Sequence, residues 1–500
     1  EVHRMETFDM DATNGFLDSK WYHLYCSVQR CNSALRVLNA ATDEQVNGRV
    51  SRIAEMKVLR AHYYFELSRL FNKIPYFDEN VEISQYPDIP NNEFTRDEIL
   101  SMLAKEMLDA AEQLPASQPE VGRIHKYIAL AYAAKIKLYQ AYQQDEITHA
   151  VTSINKELLR EVVSLCDQVT ASNRYGLLDD FQGLDLVTNE NGKESVFAIQ
   201  YSMNDGTESA GRINWSNLLN SPGGGSPYGG DGFFLPSQDL INAYQTDANG
   251  LPDFNYQSKS DYSWAVLNNG VYTLQNTTPN VDPRLDFVVG RPTITWKTYP
   301  DKPCEGWVRD KDTYGYNCAK RFWVSPESSD MFNGWPWGAS QLNWQIIRYA
   351  DILLWKAEAL IELNEGNGLE TARDLINQIR NRARNSAYVK DFNDHSKYAA
   401  NYLVNPYPAD VWNQDYARQA LRWETRLEKA LEGERFFDLV RWGIVETTMN
   451  KYITAESDNR IYYANAHFTG GKDEYYPVPN NQYGFSGGKY VQNPGYAPFN

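Results

Sequence analysis

Apolar residues recur at helical spacing over both ends of this 500-residue chain, and the recurrence stops in between. Ala54, Val58, Ala61 and Phe65 share one face of a predicted helix that ends near Asn72, ahead of Pro75. Pro87, Pro90 and Asn91-Asn92 mark a loop, and Thr95 with Glu98 three residues on forms a capping box that opens the next helix. Tyr127, Leu130, Ala131 and Ala134 carry a further stripe, so residues 17–172 read as mostly helical. Helix is expected to resume at about Trp344. Ala372, Leu375, Ile376, Ile379 and Ala383 then repeat the pattern, and a second helical pair is expected through Leu427, Leu431 and Phe437. Paired helices of roughly twenty residues are the signature of tetratricopeptide-like stacking, here with a degenerate repeat.

Between these ends Gly, Pro, Asn and Trp accumulate, and Ser221–Gly230 is too rich in Gly and Pro for a helix. The predicted fold is therefore mainly α, a tetratricopeptide-like scaffold with a large loop-rich insertion containing short strands. Residues 1–174 form an N-terminal helical part and 175–345 the Trp-rich, ligand-binding insertion. Residues 346–500 form a C-terminal helical part ending in a Pro/Gly/Tyr-rich tail. Eight of the thirteen tryptophans fall in the insertion: Trp215, Trp264, Trp296, Trp307, Trp323, Trp335, Trp337 and Trp344.

Charge and composition narrow the function. A formal net charge of −17 repels phosphate backbones, so nucleic acid is not expected as a partner. No stretch approaches the roughly eighteen apolar residues a membrane-spanning helix requires. Aromatic residues make up 13% of a chain whose mean hydropathy is −0.58, which predicts many rings at half-wet positions. Cys26, Cys31, Cys166, Cys304 and Cys318 are too scattered for a disulfide framework or a CxxC metal site. Cys304 and Cys318 could close one loop, whereas five helical residues turn Cys26 and Cys31 about 140° apart.

No HExxH, GxSxG, Walker or GxGxxG motif is present, and the seven histidines are dispersed. A pair of carboxylates spaced for glycoside hydrolysis is not excluded. Asp9-Met-Asp-Ala-Thr-Asn-Gly15 resembles the start of a calcium loop, but its glycine comes late and Lys20 stands where the bidentate glutamate belongs; it reads as a solvated turn. No catalytic residue, metal site or cofactor is predicted. Arg380, Arg382, Arg384 and Glu432-Gly-Glu-Arg435 read as structural pairs at helix ends, and Trp355 and Trp442 as core.

The loop tryptophans are different in kind. A sugar ring lays its C–H face on an indole or phenol while amides and charged groups take its hydroxyls. Trp307 has Arg309, Tyr314, Tyr316 and Asn317 close by in sequence, and Asn333-Gly-Trp335-Pro-Trp337-Gly338 pins two indoles around a proline. With Trp296 and Trp264 these residues are the expected ligand-binding set. A loop-rich region is expected to have too little interior to bury so many rings.

A resemblance adds to this reading. Trp21-Tyr-His-Leu-Tyr25, Arg30-Cys-Asn32, Ala54–Phe65 and Leu70-Phe-Asn-Lys-Ile-Pro75 resemble the amino-terminal hallmark of the SusD/RagB family. Ile347–Ala359, Ile376–Ala383, Glu432–Gly443, Tyr476-Pro-Val-Pro479 and Gln492-Asn-Pro-Gly-Tyr496 follow in that family's order. The motifs cover about three fifths of the chain, while the insertion matches no known member. The resemblance implies a scaffold of about four helix pairs and a lipoprotein exposed on the outer membrane, anchored by a lipidated cysteine upstream of Glu1. It implies capture of an oligo- or polysaccharide and its delivery to a SusC-like TonB-dependent outer-membrane transporter, with membrane contact only through the anchor. A peptide-binding member of the same family and a secreted carbohydrate-active enzyme are the alternatives.

Overall fold

The computed structural model describes residues 1–207, 211–215, 223, 225–263, 265–268, 271–274, 279–333 and 338–499. Helices α1 (Val2–Glu6), α2 (Gly15–Ala40), α3 (Arg49–Phe71), α4 (Arg96–Gln113), α5 (Lys126–Ala141) and α6 (Lys156–Ala171) come first. A hairpin of β1 (Tyr142–Gln144) and β2 (Val151–Ile154) joins the last two. The middle holds β3 (Ser195–Ile199), α7 (Gln238–Ala243), β4 (Ala265–Asn268), β5 (Val271–Leu274), α8 (Arg284–Val288), β6 (Val289–Gly290), α9 (Lys311–Tyr314) and β7 (Cys318–Ala319). Strand β8 (Trp344–Arg348) leads into α10 (Tyr349–Leu363), α11 (Gly368–Asn385), α12 (Gln414–Glu428), α13 (Arg435–Arg441), α14 (Val445–Glu456) and α15 (Asn480–Phe485). The protein is mainly helical, and its strands occur in two-stranded pairs.

Two compact units divide the chain. The first comprises residues 1–173, 436–451 and 465–500, and the second 174–435 and 452–464. The insertion and helices α10–α12 thus share one unit, while the Tyr-rich tail belongs to the other.

In the first unit α2 to α6 pack each on its predecessor. The Thr95–Glu98 box forms as read: Thr95 Oγ1 accepts from the Glu98 amide, and the Glu98 carboxylate accepts from the Thr95 amide at 2.8 Å. Helix α3 ends at Phe71, capped by Asn72 at positive φ. Helix α5 is buried almost all round, as a central helix in a stack must be. The tail supplies polar closure. Asn493 Nδ2 donates to the carbonyls of Phe71 and Tyr476, both at 2.7 Å, and Asn91 exchanges hydrogen bonds with the Val491 backbone. The Tyr476–Pro479 and Gln492–Tyr496 motifs therefore fasten the open carbonyl end of α3.

In the second unit α10, α11 and α12 pack together around Leu353, Ile361, Ile376, Ile379 and Leu421. Two expectations fail here. Residues Trp344–Arg348 are a strand, paired antiparallel with β3 from Ser195↔Arg348 to Ile199↔Trp344; the helix starts only at Tyr349, where Asp351 caps the Arg348 amide. Leu431 does not continue α12. Its φ of 66° lies in the left-handed region, so the chain breaks before α13. Trp355 and Trp442 are buried, as read.

Large charged side chains are buried in this helical layer. Arg348 Nη1 donates to Glu194 at 2.9 Å and to Glu428 at 2.7 Å, and its Nε to Glu432 at 3.1 Å. Glu428 also accepts from Arg382 and Arg284, while Glu424 joins Arg284 at 2.6 Å to Arg380 at 3.0 Å. Burial pushes the Glu428 carboxyl up, but Arg382, Arg348 and Arg284 together hold it down at about 2. Arg380, Arg382 and Glu432 are thus structural ion partners, whereas Arg384 is exposed.

Candidate functional site

The insertion has an interior made of its own aromatic side chains. Trp296, Trp307 and Trp323 are each 2% exposed and cluster with Tyr228 and Cys318, edged by Leu235, Tyr299 and Met331. Tyr228 stacks on Trp323 at 4.6 Å and meets Trp296 edge-on at 5.4 Å, and Trp307 lies 6.0 Å from Trp296. The Trp296 indole N–H donates to the Ala319 carbonyl at 3.2 Å. The β6–β7 pair floors the cluster. A methyl at Gly290 would stand 2.6 Å from both Cys318 Sγ and Trp296 Cδ1, so only glycine lets the indole approach.

This corrects the sequence expectation for Trp296 and Trp307. Neither offers a ring face to a ligand, because indoles from three loops fill the space that the backbone of a loop-rich segment leaves. Gly338, which follows the second tryptophan segment, packs on the same cluster. At φ +79°, it lies so close to Trp323 and Tyr228 that a Cβ would meet Trp323 at 2.7 Å, and Phe332 donates to the Ala339 carbonyl at 2.8 Å. Trp335, Trp337 and Trp264 lie outside the described residues.

Around that base the remaining candidates are more open. Arg309 is exposed and pairs with Asp231 at 2.6 Å. Tyr314 and Tyr316 are half-buried on and just after α9, Tyr314 within 5.7 Å of the Tyr462 ring and Tyr316 within 5.8 Å of Lys311 Nζ. Asn317 is buried, and its Oδ1 accepts no hydrogen bond among the described residues. Asn333 is exposed. The structure adds three aromatics that sequence reasoning did not select: Trp215 (45% exposed), Phe233 (40%) and Phe234 (42%). Trp215 follows Asn214, whose backbone bridges to Ser340 at the foot of the 333–338 loop, while Phe233 and Phe234 follow Asp231, the partner of Arg309. Two adjacent phenylalanines after Gly229-Gly-Asp-Gly232 were the available signal.

The same unit encloses a cavity of about 610 Å³. Phe181, Phe287 and Trp323 contribute to its apolar wall, Thr298, Ser325 and Ser328 its hydroxyls, and Lys193, Lys297, Lys320 and Arg321 its cations. Asp185 faces two of these cations: Oδ1 accepts from Arg321 Nε at 3.1 Å and Oδ2 from Lys297 Nζ at 2.9 Å. Burial pushes Asp185 up, but Lys297 and Arg321 hold its carboxyl below the usual range.

Among the described residues no group of three or more His, Cys, Asp or Glu side chains is arranged to hold a metal. Asp9 and Asp11 both pair with Arg4, and Asp11 Oδ1 caps the Thr13 amide at 2.8 Å, the hydrogen bonding of a turn. Cys304 is exposed and Cys318 buried, and the two are free thiols. No described helix is long and apolar enough to cross a membrane.

Packed helices and a long aromatic-rich insertion are the architecture of this chain. The SusD family model matches residues 193–496, and a second, described as starch-binding associating with outer membrane, matches residues 3–138. This chain belongs to the SusD family. It is 24% identical over 498 residues to SusD-like protein P2 of Formosa agariphila, covering 98% of this chain and 83% of that one. A SusD superfamily protein from Bacteroides vulgatus superposes with a TM-score of 0.69 at 20% identity, covering 99% of this chain and 89% of the other. Surface glycan-binding protein A from Bacteroides thetaiotaomicron, solved in complex with laminarihexaose, gives 0.63 at 18% identity, covering 98% and 88%. The fold expected from the sequence is the fold these structures share.

Proposed function

We propose that this protein captures an oligo- or polysaccharide at the outer-membrane surface and passes it, uncut, to a SusC-like TonB-dependent transporter. The observation that carries the reading is the exposed set Trp215, Phe233 and Phe234 together with Arg309 and Asn333, in the same unit as the buried aromatic cluster. Rigid rings cost little to order on binding, and amide and guanidinium groups at their margin supply the hydroxyl contacts. Trp335, Trp337 and Trp264 complete the proposed set, with Tyr314, Tyr316 and Asn317 beside it. Trp296 and Trp307 serve it from beneath, as supports.

The laminarihexaose complex of the Bacteroides thetaiotaomicron relative supports a glycan as ligand, and the family description supports the outer membrane as the place. A lipid anchor ahead of Glu1 is the proposed attachment. An open, polar-ligand site recovers only roughly −4 to −8 kcal/mol, a micromolar to millimolar dissociation constant. Calorimetry against a panel of soluble glycans, followed by a reducing-end assay on each binder, tests the reading. Heat of binding without new reducing ends is expected; turnover abolished by one carboxylate substitution, or binding to peptides alone, overturns it. Co-purification with a barrel-sized companion from solubilised outer membranes tests the transporter.

A further inference from the structure

We propose that the cavity beside Asp185 receives an anionic substituent of the captured glycan, a uronate carboxylate or a sulfate ester. This rests on the glycan-binding reading and names the ligand class more narrowly.

The argument is one of charge and hydrogen bonding. Four cations, Lys193, Lys297, Lys320 and Arg321, line the cavity; Lys193 pairs with the exposed Asp179, and Asp185 is bonded to Lys297 and Arg321. Both its oxygens are engaged, one with Arg321 and one with Lys297. The second counter-ion of Arg321 is Glu432, which also serves Arg348 and Lys429. Among the described residues Lys320 has no carboxylate in ion-pair contact: its Nζ donates there to the carbonyls of Asp286 and Thr295, although the residue is 2% exposed. A buried ammonium satisfied only by neutral acceptors is costly, and an entering anion offsets that cost.

The other lining acids are engaged elsewhere. Asp179 pairs with Lys193 at 2.8 Å, Asp180 accepts from the Gln182 and Ala387 amides, and Asp330 accepts from Gln341 and Ser328. Of the cations bonded to Asp185, Lys297 is the more open, its side chain 16% exposed where those of Arg321 and Asp185 are nearly covered. Thr298, Ser325 and Ser328 provide hydroxyls for the rest of a sugar, and about 610 Å³ is within the range of small-ligand pockets. Burial also pushes the Lys320 ammonium down to about 8, against the pull of Asp286, as is expected of a cation short of counter-charge. The net charge of −17 repels long polyanions, so the ligand is a short chain or a sparsely charged one.

The test uses the whole chain and four probes: methyl glucoside, methyl glucuronide, glucose 6-sulfate and an acetylated glutamyl dipeptide, with affinities read by NMR titration. Either acidic sugar, or both, is expected to bind about tenfold tighter than methyl glucoside, and which one does so separates carboxylate from sulfate. Lys297→Gln is expected to remove that preference, with thermal denaturation checking that the fold is kept. Equal affinities for acidic and neutral sugars overturn the proposal without any variant being needed. So does a preference that survives Lys297→Gln, or tighter binding of the dipeptide than of either acidic sugar. Failure of the glycan reading looks different: no sugar in the calorimetric panel then binds at all, whereas failure of this proposal alone leaves neutral glycans bound.

Discussion

Around α10–α12 a set of charged side chains is buried beside the apolar core, and around β6–β7 a set of aromatic ones. Both sets lie in the second unit, and both hold together segments far apart in sequence. The ionic set links Glu194, β8, α8, α11, α12 and Glu432 through directional bonds such as Arg348 to Glu194 and Arg380 to Glu424. Each partner fixes one register, and losing one leaves an uncompensated buried charge. The aromatic set links loops around residues 228, 296, 307 and 323 by ring contacts whose geometry is less exacting. Ions therefore specify the scaffold, while the indoles make a small core that tolerates different loops above it.

The largest effect is expected from breaking an ion set. Glu428→Ala leaves Arg348, Arg382 and Arg284 short of a partner and should cost about 3–5 kcal/mol, read as a drop in the urea midpoint. A loss under about 1 kcal/mol would mean that the ionic set does not hold the layer. Trp307→Ala should cost about 3 kcal/mol, most of it as local loosening of the insertion seen by hydrogen exchange, with α10–α12 still protected.

Acid should act on the ionic set alone. The folded carboxyl of Glu428 sits at about 2, against 4.5 as its ordinary value. Its contribution is therefore complete above about pH 4.5 and lost as pH falls towards 2, up to about 3 kcal/mol. The stability gap between the wild type and Glu428→Gln should narrow across that window, and a gap independent of pH would contradict the assignment. Thr95→Ala, which touches neither set, removes one N-cap and should cost about 1 kcal/mol in thermal denaturation.

The helical layer was more legible in the sequence than the site. Thr95 with Glu98, and the stripe from Ala372 to Ala383, are local patterns that local hydrogen bonds and one buried face obey. Trp344–Arg348 deceived because a short apolar run suits a strand or a helix equally, and its partner β3 lies some hundred and fifty residues earlier. The tryptophans of the insertion announced an aromatic function, but no local pattern tells a ring that faces water from one that fills a core built by distant loops. Trp296 and Trp307 went to the core, and Trp215, Phe233 and Phe234 to the surface. Asp185, Lys297 and Arg321 come together across more than a hundred residues, so the cavity left no local trace.

The central claim is that exposed rings bind the glycan while buried rings hold those rings in place. It is tested most directly by calorimetry on Trp215→Ala, Phe233→Ala and Phe234→Ala, singly and combined, against the glycan that the wild type binds best. The account predicts an affinity at least about tenfold weaker in the combined variant, since stacked rings contribute on the order of 1 kcal/mol or more each, with the melting temperature within about two degrees of wild type. Unchanged affinity in the combined variant, or loss of binding only together with unfolding, would contradict it.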